Sequence, residues 1–152
     1  MWVKRLGVVL GTAVMLIALP SLGVAGPIED ATAAQAAGEK SLKRGKRRRK
    51  KALILKGVGQ LGGALLLLKD GKLENDAPAL IEQLQVSIAD ANNLEAVKEE
   101  KAVLRGAVIG ALEVGDLAAA FKAIDSLRTL DPSDSAVSYG WRTVKAKLGG
   151  EK

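Results

Sequence analysis

From Ala77 to Leu148 the apolar residues fall mostly three and four positions apart, a spacing that places them on one face of a helix rather than of a strand. Ala77, Leu80, Ile81, Leu84 and Ile88 form one stripe, and Leu94, Val97, Leu104, Val108, Ala111 and Leu112 form a second. A third runs through Leu117, Ala120, Phe121, Ile124 and Leu127, and a fourth through Val137, Trp141, Val144 and Leu148. β-Branched alternation of the kind a strand needs is absent after residue 70. The punctuation agrees with the period. Pro78 suits the first turn of a helix, Asn92 with Glu95 three residues on has the form of a capping box, and Gly115 marks an end. Asp116 is placed to cap the next segment and Asp131-Pro132 to stop it, while Pro132 also suits the first turn of a last helix. The expected fold class is all-α: antiparallel helical hairpins with a C-terminal capping helix.

The N-terminal end constrains compartment. Lys4 and Arg5 precede an uncharged apolar run over residues 6–24, and Gly23-Val24-Ala25 supplies the small residues that a signal peptidase requires. Residues 1–25 are therefore read as a signal peptide or an uncleaved anchor, and the protein is expected to be exported, either periplasmic or secreted, with membrane association open. Without them 127 residues remain, enough for one small domain. Residues 26–38 are rich in alanine and poor in large side chains, which suggests a mobile spacer or a frayed helix. Residues 26–51 together are expected to form a flexible Ala-rich and basic segment, and residues 52–152 the helical domain.

Charge is concentrated. Residues 40–56 hold ten Lys or Arg and no acid, whereas residues 57–152 hold eleven basic and fourteen acidic residues. The densest part is Lys43, Arg44, Lys46, Arg47, Arg48, Arg49, Lys50 and Lys51, eight cations in nine positions, whose mutual repulsion favours a solvated stretch unless a polyanion neutralises it. An acidic membrane is the favoured polyanion, because each cation near such a surface contributes about 1 kcal/mol. Nucleic acid would be held by the same charges without sequence choice, and the lack of interleaved aromatics argues against it. A nuclear address conflicts with the leader, Arg44-Gly45-Lys46-Arg47 matches a proprotein-convertase site, and a plain solubilising linker is the simplest alternative.

The chain has neither cysteine nor histidine, which excludes disulfides, thiolate chemistry, most first-row metal sites and every Ser-His or Cys-His arrangement. GxSxG, SxxK and GxxxxGK[ST] are absent, and the acidic pairs Glu99-Glu100 and Asp131/Asp134 fall at helix-surface or cap positions. No enzymatic activity and no cofactor are expected. Gly57, Gly59 and Gly62 spell GxGxxG, yet a dinucleotide site needs a parallel sheet, so close helix packing through small residues is the preferred reading. Gly59 and Gly63 form a GxxxG pair within the apolar residues 52–68, a stretch open to three readings: buried helix, interfacial helix or second membrane span.

The segment from about residue 104 to 132 resembles a tetratricopeptide repeat. Gly115-Asp116-Leu117 stands at the inter-helix turn, Ala120 five residues after the glycine, and Leu130-Asp131-Pro132 at the end. A weaker, degenerate hairpin resembles the same family over about residues 53–88, around Gly71. The resemblance implies a scaffold for a protein partner, and, because a solenoid needs about three repeats to bury a continuous core, an atypical bundle or assembly with another chain, including a homo-oligomer. Leu117, Ala120, Phe121 and Trp141 are assigned to packing. The expected role is that of an exported, non-catalytic interaction adaptor with a basic surface-binding segment. The alternatives are a polyanion- or membrane-binding protein acting through the basic run, or a small two-span membrane protein.

Overall fold

Six helices and no strand occur among residues 26–149, the part of the chain that the computed structural model describes; residues 1–25, the expected signal peptide or anchor, lie outside it. They are α1 (Pro27–Arg48), α2 (Lys51–Asp70), α3 (Pro78–Asn92), α4 (Glu95–Glu113), α5 (Leu117–Leu130) and α6 (Ser135–Gly149). The all-α, hairpin-built architecture follows the periodicity of the sequence.

Helix α1 corrects the expectation for residues 26–51. Of the two readings for residues 26–38, mobile spacer or frayed helix, neither holds: residues 27–48 form a 22-residue helix, and a turn at Arg49-Lys50 leads into α2 at Lys51. Alanine is the best helix former, and Pro27 occupies the first turn. Glu29 and Asp30 lie at the positive end of the helix dipole, and Lys46, Arg47 and Arg48 lie at the negative end, so each charge sits where the dipole favours it. Small residues replace large ones in packing: Ala31, Gly38, Leu42 and Gly45 are buried against α2. A Cβ on Gly57 would come within 2.7 Å of both the Gly38 carbonyl oxygen and the Leu42 amide nitrogen, which is why the two backbones cross where glycines face each other. The chain turns at Arg49, which takes the left-handed conformation (φ 51°, ψ 40°) that glycine usually supplies at a helix end. The Lys50 amide closes that end by donating to the Gly45 carbonyl at 3.0 Å.

Helix α2 is the only helix among the described residues that is long and apolar enough to cross a membrane by length and composition. Its buried face, Ile54, Val58, Leu61, Leu65 and Leu68, forms the centre of the larger core cluster and packs on α1, α3, α4 and α5. Gly57 and Gly62 lie on that face, while Gly59 and Gly63 meet open space, so the GxxxG pair is not the packing surface. All the glycines of the GxGxxG string lie inside the helix, where no phosphate loop exists.

The Asn92–Glu95 capping box does not form. Asn92 is the last residue of α3, the chain breaks at Asn93-Leu94, and Leu94 precedes α4 without a side-chain cap. The Leu94 side chain packs onto the core, which sets the break two residues later than the polar pattern suggests. Pro132 likewise lies in a turn, because the Asp134 carboxylate accepts the Ala136 amide at 3.0 Å and starts α6 at Ser135. The turn between α4 and α5 matches the sequence: Gly115 has φ +76°, and Asp116 accepts the Ala119 amide at 2.9 Å. Asp116→Ala is expected to cost about 1 kcal/mol, the usual value of an N-cap, measurable as a lower midpoint in urea unfolding.

Two core clusters result. Helices α1, α2 and α3 and the start of α4 enclose one, and α5, α6 and the second half of α4 enclose the other. Leu104 packs against both, so α4 joins them.

Candidate anionic-surface site

The α1–α2 hairpin carries all eight cations of the basic run to its tip. Lys43, Arg44, Lys46, Arg47 and Arg48 occupy the last turns of α1, Arg49 and Lys50 the turn, and Lys51 the first position of α2. Leu42 and Gly45 take the face toward α2, which leaves the cations to fan over the remainder, and every one of the eight is exposed. Among the described residues, Lys51 alone of the eight forms an ion pair, at 3.2 Å from Glu99 and 3.6 Å from Glu100 on α4. Its pKa is held above the ordinary lysine value, chiefly by the hydrogen bond to Glu99. The tip is a helical projection on which seven of the eight positive charges have no ion-pair partner among the described residues.

A second charged group is buried, and sequence reasoning missed it. The Asp134 side chain is fully enclosed and receives Arg105 Nε at 3.1 Å and a terminal guanidinium nitrogen at 2.6 Å. Asp131 accepts from Lys101, and also from the Ser133 hydroxyl at 2.7 Å. Burial alone would raise both carboxyls, but hydrogen bonds, from Arg105 to Asp134 and from Lys101 to Asp131, outweigh it and hold both below the usual carboxylate range. Arg105 is raised in turn by its hydrogen bond to Asp134. With each charge compensated, the group ties the α5–α6 turn to α4 and is a structural clamp.

The repeat-like residues occupy one hairpin. Gly115 and Asp116 form the α4–α5 turn, Ala120 is fully buried, and Leu130 and Asp131 end α5 before Pro132. Phe121, expected to pack, is 49% exposed and meets Trp141 edge-on, with ring centroids 4.7 Å apart. A cleft of about 300 Å³ lies between α2, α3 and the α5–α6 turn; Lys69 and Asn92 line it, and Asn92 Oδ1 is buried without a hydrogen-bond partner. Among the described residues no group of three or more acidic side chains is arranged to hold a metal ion.

No protein-family model, curated protein or solved structure matches this chain.

Proposed function

We propose that this protein is an exported, non-catalytic docking module that attaches to an anionic membrane surface through the α1–α2 tip and offers its helical body to a protein partner. The observation that carries the reading is the exposure of eight cations on one hairpin, seven of them without an ion-pair partner among the described residues. Positive charge held this densely contributes most where negative charge is equally dense, as on an acidic leaflet, and its attraction falls off within a Debye length. A helical tip also approaches a flat surface without the ordering cost that a disordered basic tail meets. Export rests on the leader, and the partner-binding role on the resemblance of residues 104–132 to a tetratricopeptide repeat. The exposed Phe121, Tyr139 and Leu148 of α5 and α6 leave apolar surface available to such a partner.

Co-sedimentation with vesicles of phosphatidylglycerol and phosphatidylcholine, compared with phosphatidylcholine alone, tests the docking. Binding is expected to prefer the anionic vesicles and to weaken steeply with salt. Arg47→Gln with Arg48→Gln should reduce that preference about 30-fold, from about 1 kcal/mol for each charge. Residues 1–25, with Lys4 and Arg5, are the same in the parent and the double variant, so their contribution cancels when the two preferences are compared. Equal binding to neutral and anionic vesicles, or a preference untouched by the double substitution, would overturn the assignment.

A further inference from the structure

Beside the basic tip, the turn that opens α4 forms the second wall of an open cleft of about 470 Å³. Lys46, Arg49 and Lys51 line it from the α1–α2 hairpin, Glu95 and Glu99 from α4, and Ile54 and Leu94 add apolar surface. Lys51 and Glu99 neutralise each other at 3.2 Å. Lys46, Arg49 and Glu95 have no ion-pair partner among the described residues, so the cleft presents free positive charge on one wall and a free carboxylate on the other. A simple anion would meet Lys46 and Arg49 but leave Glu95 without a counter-charge. A zwitterion whose phosphate and primary amine lie at opposite ends meets both walls with the right sign.

We propose that this cleft recognises the phosphoethanolamine headgroup of a membrane lipid. The phosphate oxygens accept from Arg49, whose planar guanidinium suits them, and from Lys46, while the ammonium donates to the Glu95 carboxylate. Ile54 and Leu94 receive the glyceryl end. A phosphocholine headgroup keeps the charge attraction at the second step but loses the hydrogen bond, because its quaternary nitrogen carries no hydrogen to donate. The inference rests on the membrane-docking reading and adds to it a choice among neutral lipids that diffuse positive charge alone does not provide.

The test keeps the phosphatidylglycerol fraction of the vesicles constant and replaces phosphatidylcholine by phosphatidylethanolamine. Binding should tighten about tenfold, the value of one charge-assisted hydrogen bond. Glu95→Gln, at an exposed position, should erase that gain while keeping the preference for phosphatidylglycerol over neutral vesicles. Equal binding to the two mixtures, or a gain that survives Glu95→Gln and so reflects bilayer packing, overturns the headgroup assignment and leaves docking intact. Loss of the phosphatidylglycerol preference itself is the separate failure of docking. Soluble glycerophosphoethanolamine titrated against the protein separates the sources: tight binding without a bilayer would make a free metabolite the ligand and overturn the lipid proposal.

Discussion

Gly62→Ala is expected to lower stability by about 3 kcal/mol, while Gly59→Ala and Gly63→Ala on the same helix raise it by about 1 kcal/mol each. All three substitutions remove the same conformational freedom from the unfolded chain and improve the helix propensity of α2 by the same amount. They differ in what the new methyl group meets. At Gly59 and Gly63 it points into open space. At Gly62 it overlaps the carbonyl oxygen of Thr129, so α2 and α5 must move apart. A flexible side chain could swing aside, but a backbone carbonyl inside a helix moves only with its helix, and the cost lies at the upper end of the roughly 1–3 kcal/mol of an overpacked core. Separating α2 from α5 also loosens Leu130, which lies in the core cluster centred on α2. Thermal unfolding followed by circular dichroism should show Gly62→Ala melting about 10 °C lower and the other two slightly higher than the parent protein. Three variants of equal stability would mean that α2 and α5 do not approach at this point.

That contrast shows what the sequence can and cannot reveal. The stripes through Leu84 and Ile88, Val108 and Leu112, and Ile124 and Leu127 are legible because large side chains at helical spacing have one economical arrangement, and those residues are buried. Glycines in an apolar helix carry no such mark. Gly57, Gly59, Gly62 and Gly63 are equivalent in the string of letters, and which two of them touch a neighbour depends on where α1 and α5 cross. The same limit left α1 legible only as a spacer or a frayed helix: its buried face is made of alanine and glycine with Leu42, so it lacks the large-residue stripe that identifies the later helices. Like-charge repulsion in the basic run argued for a solvated, flexible stretch; the cations are solvent-exposed, but the helix dipole and the packing of Gly38, Leu42 and Gly45 on α2 hold them on a helix. The eight cations could be found as candidates from the run alone. That they share a hairpin tip with an acidic, partly apolar wall from α4 follows from chain segments about 45 residues apart, which no local pattern encodes.

Asp134→Ala should destabilise the protein by about 2 kcal/mol and flatten its response to acid, because one carboxylate performs two tasks. It caps α6 through the Ala136 amide, a contribution of about 1 kcal/mol. It also neutralises Arg105 and lies 3.6 Å from Lys101, whose side chain is only 12% exposed. Without Asp134, Lys101 keeps Asp131, but the half-exposed Arg105 loses its anchor and the α5–α6 turn loses its tie to α4. The acid response follows from the depressed carboxyls. Asp131 and Asp134 both titrate below the ordinary value of 3.8 in the folded chain, so as pH falls through that value the unfolded chain takes up protons first. Their contribution to stability is therefore complete above the ordinary carboxylate range and is lost progressively as pH drops toward the folded pKa values. Asp134→Asn separates the tasks, since an amide oxygen still caps α6 but carries no charge for Arg105. Urea midpoints measured between about pH 6 and pH 3 should fall steeply in the parent protein and less steeply in Asp134→Asn, with the two curves converging at the acid end. Parallel curves would show that the buried pair is not what acid disrupts, and would place the sensitivity elsewhere in the bundle.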